Sequence, residues 1–438
     1  MAKEKTDKKR LFKPPYRYRE GFLIALVLMI TGFIIEVITP QQGISIPSFP
    51  FNMYAGMAFM TTIAFLHIFY RDFAIVRWLS TIPAATSAIC LITLMTIFLG
   101  VFHQDDPDAE GFLAAIGLTH VKNSWPFLLS QLYVLTSLGL VTLRRAIPLK
   151  RKNIGFLLNH AGLWIVIAAA SLGTGDLRRL RMDLYEGETI WYGYDNNARV
   201  YELPFALELK RFDIEEYPPQ LAIVDSHTGR LSDPSQRPLP YIEKGKTTQL
   251  MDWTITVGEF FPMAMGSGDE GEYEYDFSEE TGAPPYARVS AVNEITGETA
   301  EGWITCGSFL VNSEYVWLDG RNVLVMTLPE PRRYQSEVTA FTMREEPREL
   351  VIEVNSPPRI SGWRIYQLSY NQAMGKWSNL SVVEAVRDPW LPVVYLGFFM
   401  LFAGAVYIFW IGKDRETEKD RETGNDRDTG KDRETEKD

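Results

Sequence analysis

Six apolar runs, at 21–39, 53–70, 79–102, 126–143, 154–173 and 389–411, constrain this chain more than any other feature. Each approaches the ~20 residues that a helix needs to cross the hydrocarbon core of a bilayer. A purely soluble enzyme is excluded. The overall hydrophobic share of 46% averages these runs with a polar remainder and hides the pattern.

Basic residues set the expected orientation. The arm from Met1 to Arg19 carries eight Lys and Arg against two acids, the 71–77 loop has Arg71 and Arg77, and the 144–152 loop has five more. The 40–52 loop has none and the 103–124 loop only Lys122. The positive-inside rule therefore places both termini in the cytoplasm and 173–388 outside. Arg178, Arg179 and Arg181 run against this, but long domains cross largely regardless of their charge. The first run is too long for a signal-peptide core and lacks a small-x-small cleavage site, so it reads as a retained anchor.

The expected organisation is a basic cytoplasmic arm (1–20), a membrane region of five helices (21–173), a β-rich extracytoplasmic domain (174–388), a C-terminal transmembrane helix (389–411) and a charged tail (412–438). The fold class is thus an α-helical membrane bundle of about six helices plus a β-rich domain. In that domain Phe205, Leu207 and Leu209 alternate with polar or small residues, the pattern of a half-buried strand. Asp319-Gly320 and Thr296-Gly297 each separate strand-like runs, a hairpin signal. An antiparallel sandwich or barrel-like domain is expected, with the acidic segment 268–280 as a loop. The tail repeats KDRETE-like hexapeptides with nothing apolar to bury, so it is expected to be solvated.

The net charge is −11, and between residues 173 and 388 there are 35 Asp and Glu against 20 Lys and Arg. Such a surface repels nucleic acid. Cys90 and Cys306 form no C-x-x-C pair, so dithiol redox chemistry and thiolate metal binding have no motif. Hydrolase and nucleotide chemistry lack one too, with no H-E-x-x-H, G-x-S-x-G or phosphate-binding glycine loop.

The histidines remain. His160 lies in the fifth run, about 10 Å from its cytoplasmic start at 1.5 Å per residue. Phe156 and Trp164 stand one turn to either side on the same face. An imidazole flanked by flat apolar rings suits axial ligation of haem. The bland reading is a hydrogen bond to another helix. His67, before Arg71, is a candidate second ligand or a helix-end side chain reaching the interface. His103, His120 and His227 are expected to be solvated, and Glu36 hydrated near the outer interface. Arg178, Arg179 and Arg181 have the charge for haem propionates or lipid headgroups, with interfacial anchoring the simpler role.

Several segments resemble the ResB family of cytochrome c maturation proteins. They are ITPQQG, SWPFLLSQLYVLTSLGLVTLRR, GFLLNHAGLWIVIAAASLGTGD and, most specifically, VNSPPRISGWRIYQLSY followed by VRDPWLPVVYLGFFMLFAGAVYIFW. The resemblance implies a subunit of the system II cytochrome c synthetase in the inner (cytoplasmic) membrane, with its large domain in the periplasm. With a CcsA/ResC-type partner it would carry haem b, transiently and as substrate, to CxxCH apocytochromes c. It also implies His160 as the membrane haem ligand. Spans two and three are additional to the family's usual arrangement, so His67 has no counterpart there. The tryptophan-rich segment of the CcsA partner is absent, so this chain is expected to be a non-catalytic or co-catalytic subunit. The competing reading is a membrane-anchored structural or sensory protein whose β domain binds a partner. A solute transporter would show inverted repeats and broken spans, and the sequence has neither.

Overall fold

The computed structural model describes residues 16–39, 43–104, 111–235, 237–267 and 274–410. Most of the basic arm and the whole repeat tail lie outside these residues. The chain divides into two units, Met1–Leu177 with Asp388–Asp438, and Arg178–Arg387.

In the first unit six helices are long and apolar enough to cross a membrane: α1 (Tyr18–Ile38), α2 (Phe51–Phe69), α4 (Ile82–Val101), α6 (Trp125–Ala146), α7 (Ile154–Gly173) and α8 (Leu391–Trp410). Two short helices, α3 (Ala74–Leu79) and α5 (Phe112–Ala115), lie in the connections. The chain is a membrane protein. Helix α1 starts inside the stretch read as an arm because Glu20 accepts the Arg17 N–H at 2.8 Å and caps the first turn.

The unit is organised around α6, the most buried of the six spanning helices. Small and hydroxyl side chains let neighbours approach it, as expected where lipid offers no hydrophobic driving force between helices. A Cβ on Gly32 of α1 would fall 2.5 Å from the Pro126 Cα, and Ser137 donates to the Leu79 carbonyl at 2.7 Å. Helices α7 and α8 touch through their backbones. A Cβ on Gly162 would lie 2.7 Å from the Gly397 oxygen, and one on Gly397 would lie 2.8 Å from the Gly162 oxygen.

The second unit is built from antiparallel ladders. An eight-stranded sheet has the order β14 (Arg348–Glu353), β13 (Pro331–Thr342), β3 (Val200–Glu216), β2 (Thr189–Tyr194), β1 (Arg178–Tyr185), β17 (Leu380–Arg387), β16 (Trp363–Tyr370), β15 (Arg359–Ile360). A four-stranded sheet runs β10 (Thr299–Thr305), β9 (Tyr286–Asn293), β6 (Trp253–Phe261), β5 (Thr247–Leu250), and a three-stranded one β11 (Val316–Trp317), β12 (Asn322–Met326), β4 (Leu221–Asp225). Both expected hairpins form, with Trp317 opposite Val323 across Asp319-Gly320 and Thr299 opposite Val292 across Thr296-Gly297.

Period-two burial places Phe205, Leu207 and Leu209 in one core with Met182, Leu184, Ile365 and Val383. Ile255, Ile304, Leu324 and Leu221 belong to a second. The domain thus has two large hydrophobic centres, with a small third at Ala264 and Tyr286, rather than the single one of a simple sandwich. Of the segment expected as an acidic loop, 268–273 lie outside the described residues, and Glu274–Phe277 form β8, which pairs with β7 (Ala264–Ser267).

Candidate functional site

Helix α7 presents two functional faces, and its sequence spacing fixes them. Gly155, Asn159 and Gly162 recur at helical intervals and meet α8, where a Cβ on Gly404 would lie 2.8 Å from the Asn159 amide nitrogen. Asn159 therefore packs against α8, its Nδ2 donating to the Gly155 carbonyl at 3.0 Å. Phe156, His160 and Trp164 occupy another face.

His160 Nδ1 lies 2.9 Å from the Phe156 carbonyl oxygen. A carbonyl can only accept, so Nδ1 carries the proton and Nε2 keeps its lone pair. No partner for Nε2 occurs among the described residues. This is the tautomer of a histidine whose Nε2 binds a metal while a carbonyl fixes the ring from behind. The Phe156 ring stacks directly on the imidazole, with centroids 3.6 Å apart and planes 22° from parallel, and the Arg145 guanidinium sits 4.6 Å from the Phe156 centroid. The ring is held on two sides and is only partly buried.

Beside it, α2, α6 and α7 enclose a slot of about 380 Å³ lined by Met60, Ile63, Ala64, Gly139, Leu143, Ala161, Trp164 and their neighbours. Such a volume falls within the range of small-molecule sites. Trp164 forms one wall. Its Nε1 donates to the Leu135 carbonyl at 3.0 Å, and its ring lies nearly parallel to Phe59, 12° between planes at 6.5 Å. A Cβ on Gly139 would be tight here, 3.1 Å from Ile63 and 3.3 Å from Trp164 Nε1, so one of these side chains would have to shift.

His67 continues the α2 stripe of Met60, Ile63 and Ala64 by one turn. It is buried, at 8% exposure, rather than extended into the interface, and no hydrogen-bond partner for its ring occurs among the described residues. The slot lining thus includes Trp164 but not His160 or His67; His160 stands one turn before Trp164 on α7, and His67 follows the α2 wall by one turn. Phe156 serves the imidazole itself rather than the slot.

Two polar centres at the opposite end of the helical unit were not read from the sequence. Glu36, expected to be hydrated, is 1% exposed. Its carboxylate accepts the Trp125 N–H at the start of α6 at 2.7 Å and contacts His120 Nε2 at 2.8 Å. His120 is therefore not a solvated loop side chain, because the chain around residues 117–124 folds back over the acid. Gly117 at φ +79° permits this, and a Cβ there would strike Glu36 Cγ at 2.9 Å. The second centre is Asp176, which accepts from Phe49 N, Asn52 Nδ2 and Trp390 Nε1 at 2.7, 2.7 and 2.6 Å. It ties α2, α7 and α8 together. The signal for both was a lone acid at the end of an apolar run, which requires buried donors.

The other residues singled out lie apart. His103 and His227 are exposed, as expected. Arg181 pairs with Asp183 at 3.2 Å and faces the Tyr194 ring, while Arg178 and Arg179 are exposed on β1. Burial pushes the Cys306 thiol up to about 12, which keeps it protonated and unreactive at neutral pH. No cluster of three metal-binding side chains occurs among the described residues.

Residues 322–385, from β12 into β17, match the model of the ResB-like family. This stretch of the chain is similar to the ResB-like family. The matched stretch contains VNSPPRISGWRIYQLSY, the segment whose resemblance was most specific, and lies wholly within the β unit. The ResB-like family is associated with cytochrome c biogenesis. No curated protein matches the chain. The matched segment holds β12 and, in the eight-stranded sheet, β13, β14, β15, β16 and most of β17, which supply five of its eight strands and part of its core.

Proposed function

We propose that this chain is the haem-handling membrane subunit of a system II cytochrome c synthetase, taking haem as cargo from the cytoplasmic side and passing it outward. A CcsA/ResC-type membrane protein and CxxCH apocytochromes are its partners, and the β domain is the periplasmic docking surface in the inner membrane. The positive-inside distribution of Lys and Arg supports this orientation.

The observation that carries the reading is the His160 tautomer. Nδ1–H is committed to the Phe156 carbonyl, Nε2 has no partner among the described residues, and Trp164, one turn further along α7, lines an apolar slot. His160 Nε2 would hold the haem iron, with His67 as the second axial candidate. Apolar surroundings protect the iron from water, and Trp164 offers a flat wall to the porphyrin. Arg145, near the basic helix ends, supplies charge for a propionate.

The test is the visible spectrum of the chain purified with its CcsA-type partner. His160→Ala is expected to remove most of the Soret absorbance assigned to this chain, and added imidazole to restore it. His67→Ala is expected to convert a six-coordinate low-spin spectrum to high spin. An undiminished Soret band in His160→Ala, with c-type cytochromes matured at the normal level, would overturn the proposal.

A further inference from the structure

A second cavity, of about 420 Å³, opens at the opposite end of the helical unit between α4, α6, α7 and the segment carrying Ile44 and Ile46. It runs along the helices. Its α7 lining extends from Val166 to Thr174, about 12 Å at 1.5 Å per residue. The lining is graded in polarity. Lys122, Ser124 and Thr174 stand at the helix ends, Gln131 and Ser171 lie one to two turns in, and Ile92, Val134 and Val166 close the deep end.

We infer that this slot binds one acyl chain of an acidic phospholipid, with the phosphate at Lys122 and the ester region at Gln131. Three observations favour that occupant. Lys122 is the only Lys or Arg between residues 103 and 124, so the single cation of this loop stands at the mouth of the cavity. The Ser171 hydroxyl lies 3.1 Å from Gln131 Oε1, while the Gln131 amide nitrogen has no partner among the described residues and is free to donate to an ester carbonyl. No His, Cys or Met lines the cavity, so it offers iron no ligand, and a lipid needs only apolar walls, a donor and a cation. The inference does not depend on haem binding at His160.

The test uses the full chain in nanodiscs of mixed phosphatidylglycerol and phosphatidylcholine, released and counted by native mass spectrometry. One phosphatidylglycerol is expected to be retained preferentially. Lys122→Gln is expected to lower that preference about fivefold, the worth of one cation near a headgroup. Ala170→Phe, which fills the slot, is expected to abolish retention of either lipid, and Leu99→Trp to do the same from the α4 side. Full phosphatidylglycerol preference in Lys122→Gln, or retained lipid in both filling variants, would overturn the inference. So would a Soret band lost on filling the slot but kept in His160→Ala, since that would assign the cavity to haem.

Discussion

His120 Nε2 meets Glu36 Oε1 at 2.8 Å, joining the end of α1 to the loop before α6, while the second carboxylate oxygen takes the first backbone N–H of α6. The carboxylate is 1% exposed and lies at a helix N-terminus, where the backbone dipole favours negative charge. Removing the carboxylate leaves the Trp125 N–H and the His120 imidazole without it, and an unsatisfied buried donor typically costs about 1–3 kcal/mol. Glu36→Ala is therefore expected to destabilise the helical unit by about that much. Glu36→Gln should cost less, because its oxygen still accepts the Trp125 N–H. Thermal unfolding in detergent, followed by circular dichroism, checks the order.

Asp176 gathers three donors from three segments: Phe49 N, Asn52 Nδ2 and Trp390 Nε1. A hydrogen bond to a charged acceptor contributes about 1.5–3 kcal/mol. Trp390→Phe removes one donor and keeps the ring, so a loss of about 1–3 kcal/mol is expected. Asp176→Asn removes the charge and turns an amide N–H toward a donor, and is expected to cost more. Protease nicking of the segment around Phe49 should rise in both variants, and faster in Asp176→Asn.

The six spans were legible because a bilayer demands a fixed length of apolar helix, and the hairpins at Asp319-Gly320 and Thr296-Gly297 because turn chemistry is local. The environments of Glu36 and His120 were not, since the contact joins positions 84 residues apart and periodicity reports faces rather than partners. The tautomer of His160 was out of reach for a related reason. Its spacing to Phe156 and Trp164 placed all three on one face, but spacing does not tell that Phe156 stacks on the imidazole while Trp164 turns to Leu135 and Phe59. The two large cores of the β domain were hidden because alternation marks which side of a strand is buried, not against which sheet.

The α7–α8 contact depends on missing side chains. A Cβ on Gly162 would lie 2.7 Å from the Gly397 oxygen and 3.0 Å from the Leu401 nitrogen, both of them backbone atoms that cannot swing away. Gly162→Ala is therefore expected to push the helices apart and cost about 1–3 kcal/mol, the usual range for overpacking. Gly100, whose Cβ would meet nothing within 4 Å, is the control. Gly100→Ala should stabilise by up to about 1 kcal/mol through helix propensity. Disulfide trapping of cysteine pairs placed across α7 and α8 would report the separation, and unchanged trapping in Gly162→Ala would refute the close contact.

In the β unit, Asp225 accepts Arg321 Nε at 2.5 Å and the backbone N–H groups of His227 and Thr228 at 2.9 and 3.0 Å. The Arg321 hydrogen bond first, and the backbone donors after it, hold this carboxyl down at about 2. An unfolded aspartate titrates near 3.9. Because the folded value is the lower one, its contribution to stability is complete above about pH 4 and is lost as pH falls toward 2. Asp225 and Arg321 link β4 to the turn between β11 and β12, so the loss falls on the three-stranded sheet. Asp225→Asn is expected to flatten the dependence of the denaturation midpoint on pH between about 4 and 2, and to lower stability at pH 7. Arg321→Gln removes the dominant partner but leaves the backbone donors, so it should shrink the same slope without abolishing it. Tryptophan fluorescence against denaturant at several pH values gives both slopes, and parallel curves for the parent chain and Asp225→Asn would refute the assignment.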